Sequence, residues 1–577
     1  MLMTEHRFVT HDGVELAYLA WLPQLPATRA VLLFHRGHEH AARWDETVGA
    51  LTLPHTAFFA LDQRGHGHSP GERGFAPSIA ALTQDADAFA RHIWRRHAIA
   101  PQDTAVIASS VGAVIAAAWV HDFAPTLRAM VLAAPAFDIN LYVPFAVPSL
   151  RLKERFLPGG TVKSYVKSRM LTHSPEHARA YDADALIFRQ ISIALLLDLY
   201  DTGKRLVDDA AAIRTPTLIV AAGRDYVVKT RAQKLFYQRL GSKTKQFDIM
   251  PGAFHALFQE TNRPALFERT HTFLEAAFAQ PSPCNCDLVH ADRGSFTRTE
   301  YDLLRIPGPA PSALPRLFLR TVGRLSRGIS LGWKTGFDSG QTLDYIYQNR
   351  AGGFPLLGTL IDRNYLNAVG WRGIRIRKQH LDAALRRSIE QLHAAGQPVH
   401  IMDIASGPGR YVLEAMHAFP HIPTSALLRD YRQDNLAAAR SLADSLHLHN
   451  VTTQLADAFE RVSFAAVTPK PTIAIASGIY ELFPDNGPVL DSLGGIADAL
   501  DDGGHLLYTG LPWHPQVEFM ARVLTNREGK PWIMRRRSQA ELDALVHAAG
   551  FEKIDQHIDN FGIYTVSLAR RTVRTGL

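Results

Sequence analysis

The 577-residue chain is poor in cysteine and contains no long hydrophobic run. Its two cysteines, Cys284 and Cys286, are separated by one residue in a segment that contains proline. Two cysteines exclude a disulfide framework and a four-cysteine zinc site, so we interpret them as linker thiols and predict no metal site. No stretch reaches the roughly 18–20 apolar residues that span a bilayer, and no basic segment followed by an apolar run opens the chain. We therefore expect a cytoplasmic protein without a signal peptide.

Acidic residues are slightly fewer than basic ones. The 55 Asp and Glu residues against 62 Lys and Arg residues leave a formal charge of +7, which attracts polyanions weakly. Basic clusters stand at 372–378 and 535–537, and most such runs are solvated faces. Because no nucleic-acid motif with interleaved aromatic residues lies nearby, we expect small-molecule or lipid substrates, and nucleic acid is disfavoured. Peripheral contact with an anionic membrane surface is left open, and the oligomeric state is not determined.

The length indicates two large domains, because a single core stops growing at roughly 250–300 residues. Residues 1–279 alternate short apolar strands with helical stretches, which predicts an α/β domain with a parallel sheet, interrupted by a cap at about 138–214. Proline density marks a linker at 280–315. A helical, basic and aromatic region follows at 316–392, and a second series of strands and helices occupies 393–577.

The segment "AVIASSVGAVIAAAW", which begins at residue 105, predicts a strand, a sharp turn and a helix. This is the layout of a nucleophile elbow, in which the residues two before and two after the nucleophile must be small. Ser109 would have bulky β-branched residues at both positions. Ser110 has Ala108 and Gly112 there, so the steric requirement selects Ser110 as the nucleophile.

A serine nucleophile needs a base, an orienting acid and an oxyanion hole. Asp225 follows a buried strand in "TPTLIVAAGRDYVV", and His255 stands thirty residues later in "MPGAFHALFQE". Because parallel strands end at the same edge of a sheet, these side chains can converge on Ser110. Val111 directly follows the nucleophile and supplies one backbone N–H group. Gly37, after an early strand, is predicted to supply the other.

The segments "HRGHEHAARW", "LDQRGHGHSPGERG", "SSVGA" and "PGAFHALFQE" resemble the monoacylglycerol lipase and lysophospholipase branch of the α/β-hydrolases, of the serine aminopeptidase type. The resemblance spans residues 7–279 and implies an α/β-hydrolase fold with a helical cap that receives an acyl chain. It also implies an acyl ester of glycerol or a lysophospholipid as substrate. Arg36 and His38 stand where the family pattern has glycine. The alternative is a hydrolase fold kept only as a scaffold.

The segment "VHIMDIASGPGRYVLEA", which begins at residue 399, predicts a strand, an acidic residue, a glycine loop and a helix. Gly407 and Gly409 allow a ligand to approach the backbone closely. Val412 stands where a dinucleotide loop has its third glycine, which disfavours a pyrophosphate. A cofactor without phosphates instead needs a carboxylate for its cationic amino-acid part, and Asp403 is the candidate. This chemistry suits S-adenosylmethionine.

The strands that follow carry further candidates for this cofactor. Asp430 is placed to accept hydrogen bonds from the ribose hydroxyls. Asp457 ends a third strand, where the adenine would lie, and Ser477 follows a fourth strand. The region 397–571 resembles the class I S-adenosylmethionine-dependent methyltransferases, which have a Rossmann-like fold. Ala405 replaces the first glycine of the family's loop, and the resemblance places Ala405 and Ala458 at the cofactor as well.

Hydrolase followed by methyltransferase resembles fused bacterial proteins. We interpret the chain as a bifunctional enzyme, with an ester hydrolase domain and a methyltransferase domain that acts on an undetermined acceptor, for which a lipid-related compound is left open. Two alternatives stay open: one domain is a silent scaffold, or the protein is a nucleic-acid methyltransferase with an accessory hydrolase. The region 316–392 is interpreted either as a lid over the acceptor site or as a helical layer on the sheet.

Overall fold

The computed structural model describes residues 2–307 and 313–572. The chain divides into two compact units, Met1–Cys284 and Asn285–Leu577. The predicted linker 280–315 spans this division, and residues 308–312 of that prediction lie outside the described part.

The first unit contains a sheet whose strands are mostly apolar on both faces, as expected for a sheet covered by helices on both sides. The strands of this unit are β1 (Leu2–Val9), β2 (Glu15–Leu22), β3 (Arg29–Phe34), β4 (Thr56–Leu61), β5 (Thr104–Ser109), β6 (Ala129–Ala133), β7 (Thr161–Lys163), β8 (Gln190–Ser192), β9 (Thr217–Ala222) and β10 (Lys245–Met250). Strands β7 and β8 pair with each other in a separate two-stranded sheet. In the described part the main sheet has the order β1-β2-β4-β3-β5-β6-β9-β10. Within this sheet the six neighbouring strands β4, β3, β5, β6, β9 and β10 are parallel.

The helices of this unit are α1 (Asp45–Ala50), α2 (Ile79–His97), α3 (Val111–Phe123), α4 (Ala146–Phe156), α5 (Pro175–Ala183), α6 (Ile193–Asp208), α7 (Thr230–Arg239) and α8 (Arg263–Phe278). Helix α3 follows the predicted elbow and is buried over nearly its whole length, which explains why its sequence is apolar on every side. The elements from α4 to α6 stand between β6 and β9, where the sequence predicts the cap. The predicted α/β-hydrolase fold is confirmed.

The second unit has its own sheet. Its strands are β11 (Val399–Asp403), β12 (Thr424–Asp430), β13 (Val451–Leu455), β14 (Ile473–Ala476), β15 (His505–Gly510), β16 (Phe551–Ile558) and β17 (Thr565–Arg571). In the described part the order is β13-β12-β11-β14-β15-β17-β16. Strands β11 to β15 are parallel, while β16 and β17 form an antiparallel hairpin. This arrangement confirms the predicted Rossmann-like fold.

The helices of the second unit are α9 (Phe296–Arg305), α10 (Ala313–Arg320), α11 (Arg327–Thr335), α12 (Gly340–Gln348), α13 (Leu357–Leu366), α14 (Val369–Ala394), α15 (Arg410–Ala418), α16 (Gln433–Ser445), α17 (Asn486–Ala499), α18 (Val517–Val523) and α19 (Gln539–Ala548). Helix α9 lies within the segment predicted as a linker. The region 316–392 is helical as predicted, and its buried residues pack with those of the loops after β15 in one apolar cluster.

The basic run at 535–537 corrects the interpretation of such runs as solvated faces. Arg535 is completely buried and donates to Glu541 at 2.7 Å and to the Asn486 side chain at 2.9 Å. Arg536 and Arg537 are also buried, and Arg537 donates to backbone carbonyl oxygens after the strand β14. The guanidinium groups connect two parts of the unit, the loop that precedes α17 and the helix α19. Composition alone does not reveal this role.

The prediction of two free thiols is wrong, because Cys284 and Cys286 are disulfide-bonded. The irregular backbone at 281–285 permits this short link. Of the helices that the structure describes, none combines the length and the apolar character that a bilayer crossing requires.

The buried arginine generates a prediction about stability. We expect Arg535→Met to lower the free energy of unfolding by about 3–5 kcal/mol, because Glu541 would keep a buried charge without its partner. Urea unfolding followed by circular dichroism measures the change. The matched control is Arg461→Met, which breaks an exposed pair with Asp498 and should cost at most about 1 kcal/mol. Equal effects of the two substitutions would contradict the structural role of Arg535.

Candidate active sites

Ser110 lies in a strained turn between β5 and α3. Its backbone has φ 54° and ψ −113°, a conformation that non-glycine residues rarely adopt. A Cβ atom at Gly112 would lie 2.4 Å from the carbonyl oxygen of His35 and 2.5 Å from that of Phe34. The turn therefore requires glycine two positions after Ser110, which agrees with the steric choice between the two serines.

The three predicted side chains Ser110, His255 and Asp225 lie in one hydrogen-bonded chain. The Nε2 atom of His255 lies 2.8 Å from Oγ of Ser110, and its Nδ1 atom lies 2.9 Å from Oδ2 of Asp225. Asp225 follows β9 and His255 follows β10, so neighbouring parallel strands deliver both to the edge where β5 ends. All three residues are largely withdrawn from solvent.

Asp225 is held as a carboxylate. Burial alone would raise the pKa of Asp225, but the His255 imidazole and two backbone N–H groups outweigh it and lower that pKa. The backbone donors are Val227, at 2.7 Å from Oδ1, and Val228, at 3.0 Å. Because the Asp225 carboxylate can only accept a hydrogen bond, a neutral His255 must carry its proton on Nδ1. Its Nε2 atom can then accept a hydrogen bond from the Ser110 hydroxyl.

Gly37 and Val111, the predicted oxyanion residues, line the same cavity as Ser110. A Cβ atom at Gly37 would lie 3.1 Å from Cγ2 of Val111, so the two backbones approach closely. The departures from the family pattern are accommodated locally. The guanidinium group of Arg36 donates two hydrogen bonds of 2.6 Å to the Glu39 carboxylate. His38 has φ 69°, a conformation that glycine adopts without strain.

A cavity of about 570 Å³ opens beside Ser110 and His255. Its walls are predominantly aliphatic and combine residues of the cap with residues of the strand ends. Cap residues that line it include Val143, Leu150, Leu195 and Leu199. A cavity of this composition favours an extended apolar group over a charged one.

A second cavity, of about 370 Å³, lies at the carboxyl ends of the strands of the second unit. We call it the cofactor cavity. Its glycine loop joins β11 to α15, and Gly407 and Gly409 have φ values of 53° and 67°. A Cβ atom at Gly409 would approach Cδ1 of Leu428 to 2.6 Å, so the loop has no room for a side chain there.

Most of the predicted cofactor residues meet at this cavity. Asp430, at the end of β12, accepts from Gly407 N at 2.9 Å with one oxygen and from Arg432 N at 2.8 Å with the other. Asp457 lies at the mouth, where its carboxylate accepts from the N–H group of Phe459. The other predicted residues that line the cavity are Ala405, Gly409, Ala458 and Ser477.

Asp403 differs from its predicted place. Among the described residues it does not line the cofactor cavity, and its carboxylate lies beneath the loop. One oxygen accepts from Ala405 N at 3.2 Å and the other from the Tyr411 hydroxyl. Complete burial, with a smaller contribution from Asp430, raises the pKa of Asp403 to about 7. These contacts join Asp403 to the first residues of the loop and of α15.

Sequence reasoning missed the part of the cofactor cavity contributed by 316–392. Asp344 and Tyr347 of α12 line it, as does Arg377 of α14. Arg377 is buried. One guanidinium nitrogen lies 3.6 Å from a carboxylate oxygen of Glu481, and the other donates to the Tyr347 hydroxyl at 3.5 Å. The available signal was weak, because Arg377 stands in a basic run and only its contacts distinguish it from exposed neighbours such as Arg372.

The buried Asp403 generates a pH-dependence prediction. An unfolded Asp has a pKa near 4, so the native state binds the extra proton between about pH 4 and pH 7. The unfolding free energy should therefore fall as pH rises through this range, by up to about 4 kcal/mol relative to Asp403→Asn. Urea unfolding at a series of pH values measures it. Asp501→Asn, at an exposed ion pair, should keep the wild-type pH dependence, and a flat difference between wild type and Asp403→Asn would contradict the prediction.

Comparisons with known proteins match both units. A family model described as "Putative methyltransferase" matches residues 270–571, and one described as "Serine aminopeptidase, S33" matches residues 26–262. The "Uncharacterized protein YnbC" of Escherichia coli (strain K12) is 45% identical over 577 residues, covering 98% of each chain.

The similarity to the lipases named here covers about half of the chain. The "Monoacylglycerol lipase" of Mycolicibacterium smegmatis is 26% identical over 267 residues, which cover 46% of this chain and 94% of that protein. The crystal structure of Paleococcus ferrophilus monoacylglycerol lipase is 21% identical with a TM-score of 0.41, covering 48% of this chain and 99% of that one.

Proposed function

Because the chain belongs to the family described as "Putative methyltransferase" and carries a serine aminopeptidase S33 domain, we propose that it is a bifunctional enzyme. Its first unit is a serine hydrolase for a carboxylic ester of an acyl chain, and its second unit transfers a methyl group from S-adenosylmethionine. The observation that carries the first activity is the hydrogen-bonded chain Ser110–His255–Asp225. The observation that carries the second is the glycine loop with Asp430 at the cofactor cavity.

In the proposed acylation, Oγ of Ser110 attacks the ester carbonyl carbon while its proton passes to Nε2 of His255. The carbonyl π electrons move onto oxygen, and the N–H groups of Gly37 and Val111 stabilise the resulting oxyanion. Asp225 stabilises the imidazolium and holds its orientation. When the oxyanion collapses, the C–O bond to the leaving alcohol breaks, and the alcohol oxygen takes the proton from His255.

Deacylation uses the same groups with water as the nucleophile. Nε2 of His255 takes a proton from water as its oxygen attacks the acyl carbon, and the oxyanion forms again at the N–H groups of Gly37 and Val111. Collapse releases the carboxylic acid, and the proton held by His255 returns to Oγ of Ser110. The site then has its starting protonation state.

The apolar cavity beside Ser110 supports an acyl chain as the group that the hydrolase recognises. Burial of such a chain contributes about 25 cal/mol per Å² of apolar surface removed from water. The similarity to monoacylglycerol lipases points the same way. We therefore propose a monoacylglycerol-like or lysophospholipid-like ester as the substrate of the first unit.

The residues of the cofactor cavity fit S-adenosylmethionine. The left-handed glycines leave the loop backbone open to a ligand, and Asp430 offers carboxylate oxygens at the end of β12, where ribose hydroxyls can donate to them. Asp457 and Ala458 would face the adenine, and Arg377 would pair with the cofactor's carboxylate. Asp403 acts as a positioning residue for the loop. When bound, this cofactor supplies an electrophilic methyl group on a sulfonium centre.

We also propose a cytoplasmic location with peripheral contact at an anionic membrane surface. That contact would depend on exposed cations, since the arginines at 535–537 are buried and unable to reach lipid phosphates. A membrane source of acyl esters is consistent with the apolar cavity of the first unit.

The hydrolase proposal predicts covalent labelling by a fluorophosphonate. Wild-type protein should incorporate the probe at Ser110, because Oγ attacks phosphorus as it would a carbonyl carbon, and Ser110→Ala should abolish labelling. Ser109→Ala removes the adjacent hydroxyl and is the matched control, which should keep labelling. Peptide mass spectrometry locates the adduct. Folded wild-type protein that does not react would contradict the hydrolase proposal and favour a scaffold role for this unit.

The methyltransferase proposal predicts one binding site for S-adenosylmethionine in calorimetry. Asp430→Asn should weaken binding at least about tenfold, since the carboxylate loses charge-assisted hydrogen bonds to the ribose. Asp434→Asn, an exposed position on α16, should bind as wild type does. Absence of wild-type binding, or equal effects of both substitutions, would contradict the cofactor assignment.

A further inference from the structure

A third cavity, of about 320 Å³, lies among the helices of 316–392 and the loops after β15. We call it the aromatic cavity. Helices α10, α13, α14 and α18 contribute to its walls. Its aromatic side chains are Phe318, Phe337, Tyr365, Trp371, Phe519, Trp532 and Tyr564.

The aromatic cavity carries no charge. Of the described residues that line it, none is Asp, Glu, Lys or Arg. Its histidine, His514, is almost fully buried, and burial, with a smaller contribution from Arg536, lowers the pKa of His514 to about 3. A charged ligand would therefore lose its hydration without gaining a partner, so the cavity favours an uncharged one.

His514 presents an N–H donor that needs an acceptor. The N–H group of Gln516 donates to Nδ1 of His514 at 3.0 Å, so the proton of the neutral ring is on Nε2. That Nε2 atom is buried and has no hydrogen-bond partner among the residues that the structure describes. The indole N–H of Trp532 is also buried and has no hydrogen-bond partner among those residues. Buried donors of this kind are costly unless an acceptor reaches them.

The backbone of α14 approaches this donor closely at Gly370. A Cβ atom at Gly370 would lie 2.9 Å from Nε2 of His514 and 3.4 Å from its Cε1. Gly370 is the second residue of α14 and itself lines the aromatic cavity. Because Gly370 has no side chain, the His514 ring can lie against α14, with Nε2 next to a residue that lines the cavity. The unpaired Nε2 donor indicates that an acceptor atom of a ligand reaches it from this cavity.

Trp532 relates the aromatic cavity to the cofactor cavity, because its side chain lines both. Its ring stacks on Trp371 with a centroid separation of 5.9 Å and an interplanar angle of 19°. A compound held in the aromatic cavity would thus contact the same indole that borders the bound cofactor. Phe318 and Phe519 line the same cavity and are partly exposed to solvent.

We propose that the aromatic cavity binds the methyl acceptor, and that this acceptor is an uncharged aromatic compound with an oxygen that accepts a hydrogen bond from Nε2 of His514. Naming the ligand as the acceptor rests on the proposed methyltransferase function. Binding of such a compound does not, so the two can be tested separately.

The test is calorimetry on the full chain with three probes of similar shape. These are 2-acetylnaphthalene, which has an acceptor oxygen, 2-ethylnaphthalene, which has none, and 2-naphthoate, which is charged. We expect the ketone to bind with one site and to bind at least about tenfold more tightly than the carboxylate. Equal or tighter binding of the carboxylate would overturn the assignment of an uncharged ligand.

Substitutions at His514 separate hydrogen bonding from packing. His514→Leu should weaken the ketone about fivefold to tenfold while leaving the hydrocarbon's affinity unchanged, because only the ketone loses a hydrogen bond. His514→Gln keeps an N–H donor and should restore most of the ketone affinity. Equal losses for the ketone and the hydrocarbon would overturn the role of His514.

Gly370→Ala tests the placement of the His514 ring against α14, because the added Cβ atom would displace that ring within the cavity. It should weaken both the ketone and the hydrocarbon at least about tenfold. Gly487→Ala is the matched control, because Gly487 is the second residue of α17 and a Cβ atom there meets no atom within 4 Å. Wild-type binding of the probes by Gly370→Ala would overturn the location of the site.

Circular dichroism of every variant reports whether it is folded, and its S-adenosylmethionine affinity separates the two proposals. If the cofactor binds and the ketone does not, the inference about the aromatic cavity is wrong and the methyltransferase proposal stands. If the ketone binds with the expected pattern and the cofactor does not, the cavity is a ligand site and the methyltransferase proposal is wrong.

Discussion

Parallel strands end at one edge of their sheet, and both candidate sites of this protein are built at such edges. In the first unit, β5, β9 and β10 deliver Ser110, Asp225 and His255 from segments up to 145 residues apart in the chain. In the second, β11 and β12 deliver the glycine loop and its acidic partner. Because the side chains that meet at these edges come from distant segments, each site exists only when its sheet is complete.

Strain and burial adapt each edge to its chemistry. The Ser110 turn keeps an unfavourable φ because Gly112 lets the helix approach the carbonyl oxygens of β3 and the residue after it. Asp225 keeps its charge in a buried place because His255 and two N–H groups compensate for the lost water. Asp403 lacks comparable compensation, so its pKa rises, and its place beneath the glycine loop is structural.

The helical region 316–392 gives the second unit more than a cover for its sheet. It contributes Asp344, Tyr347 and Arg377 to the cofactor cavity and most of the walls of the aromatic cavity. One side chain, Trp532, borders both cavities, so the proposed cofactor and the proposed acceptor have a common boundary. The uncharged aromatic lining of that cavity contrasts with the predominantly aliphatic cavity of the first unit.

The sequence by itself determined the two α/β folds, the choice of Ser110 over Ser109 and most residues of both candidate sites, because strand ends, small flanking residues and chain order are local or ordered signals. The sequence alone grouped Ser110, Asp225 and His255 as one candidate site. It also predicted a ligand without phosphates at the loop that contains Gly407. Only the tertiary structure decided that Asp403 lies beneath its loop, that the arginines at 535–537 are buried, and that His514 presents an unmet donor beside Gly370. These properties depend on which distant side chains surround a residue, and a linear pattern does not encode that neighbourhood.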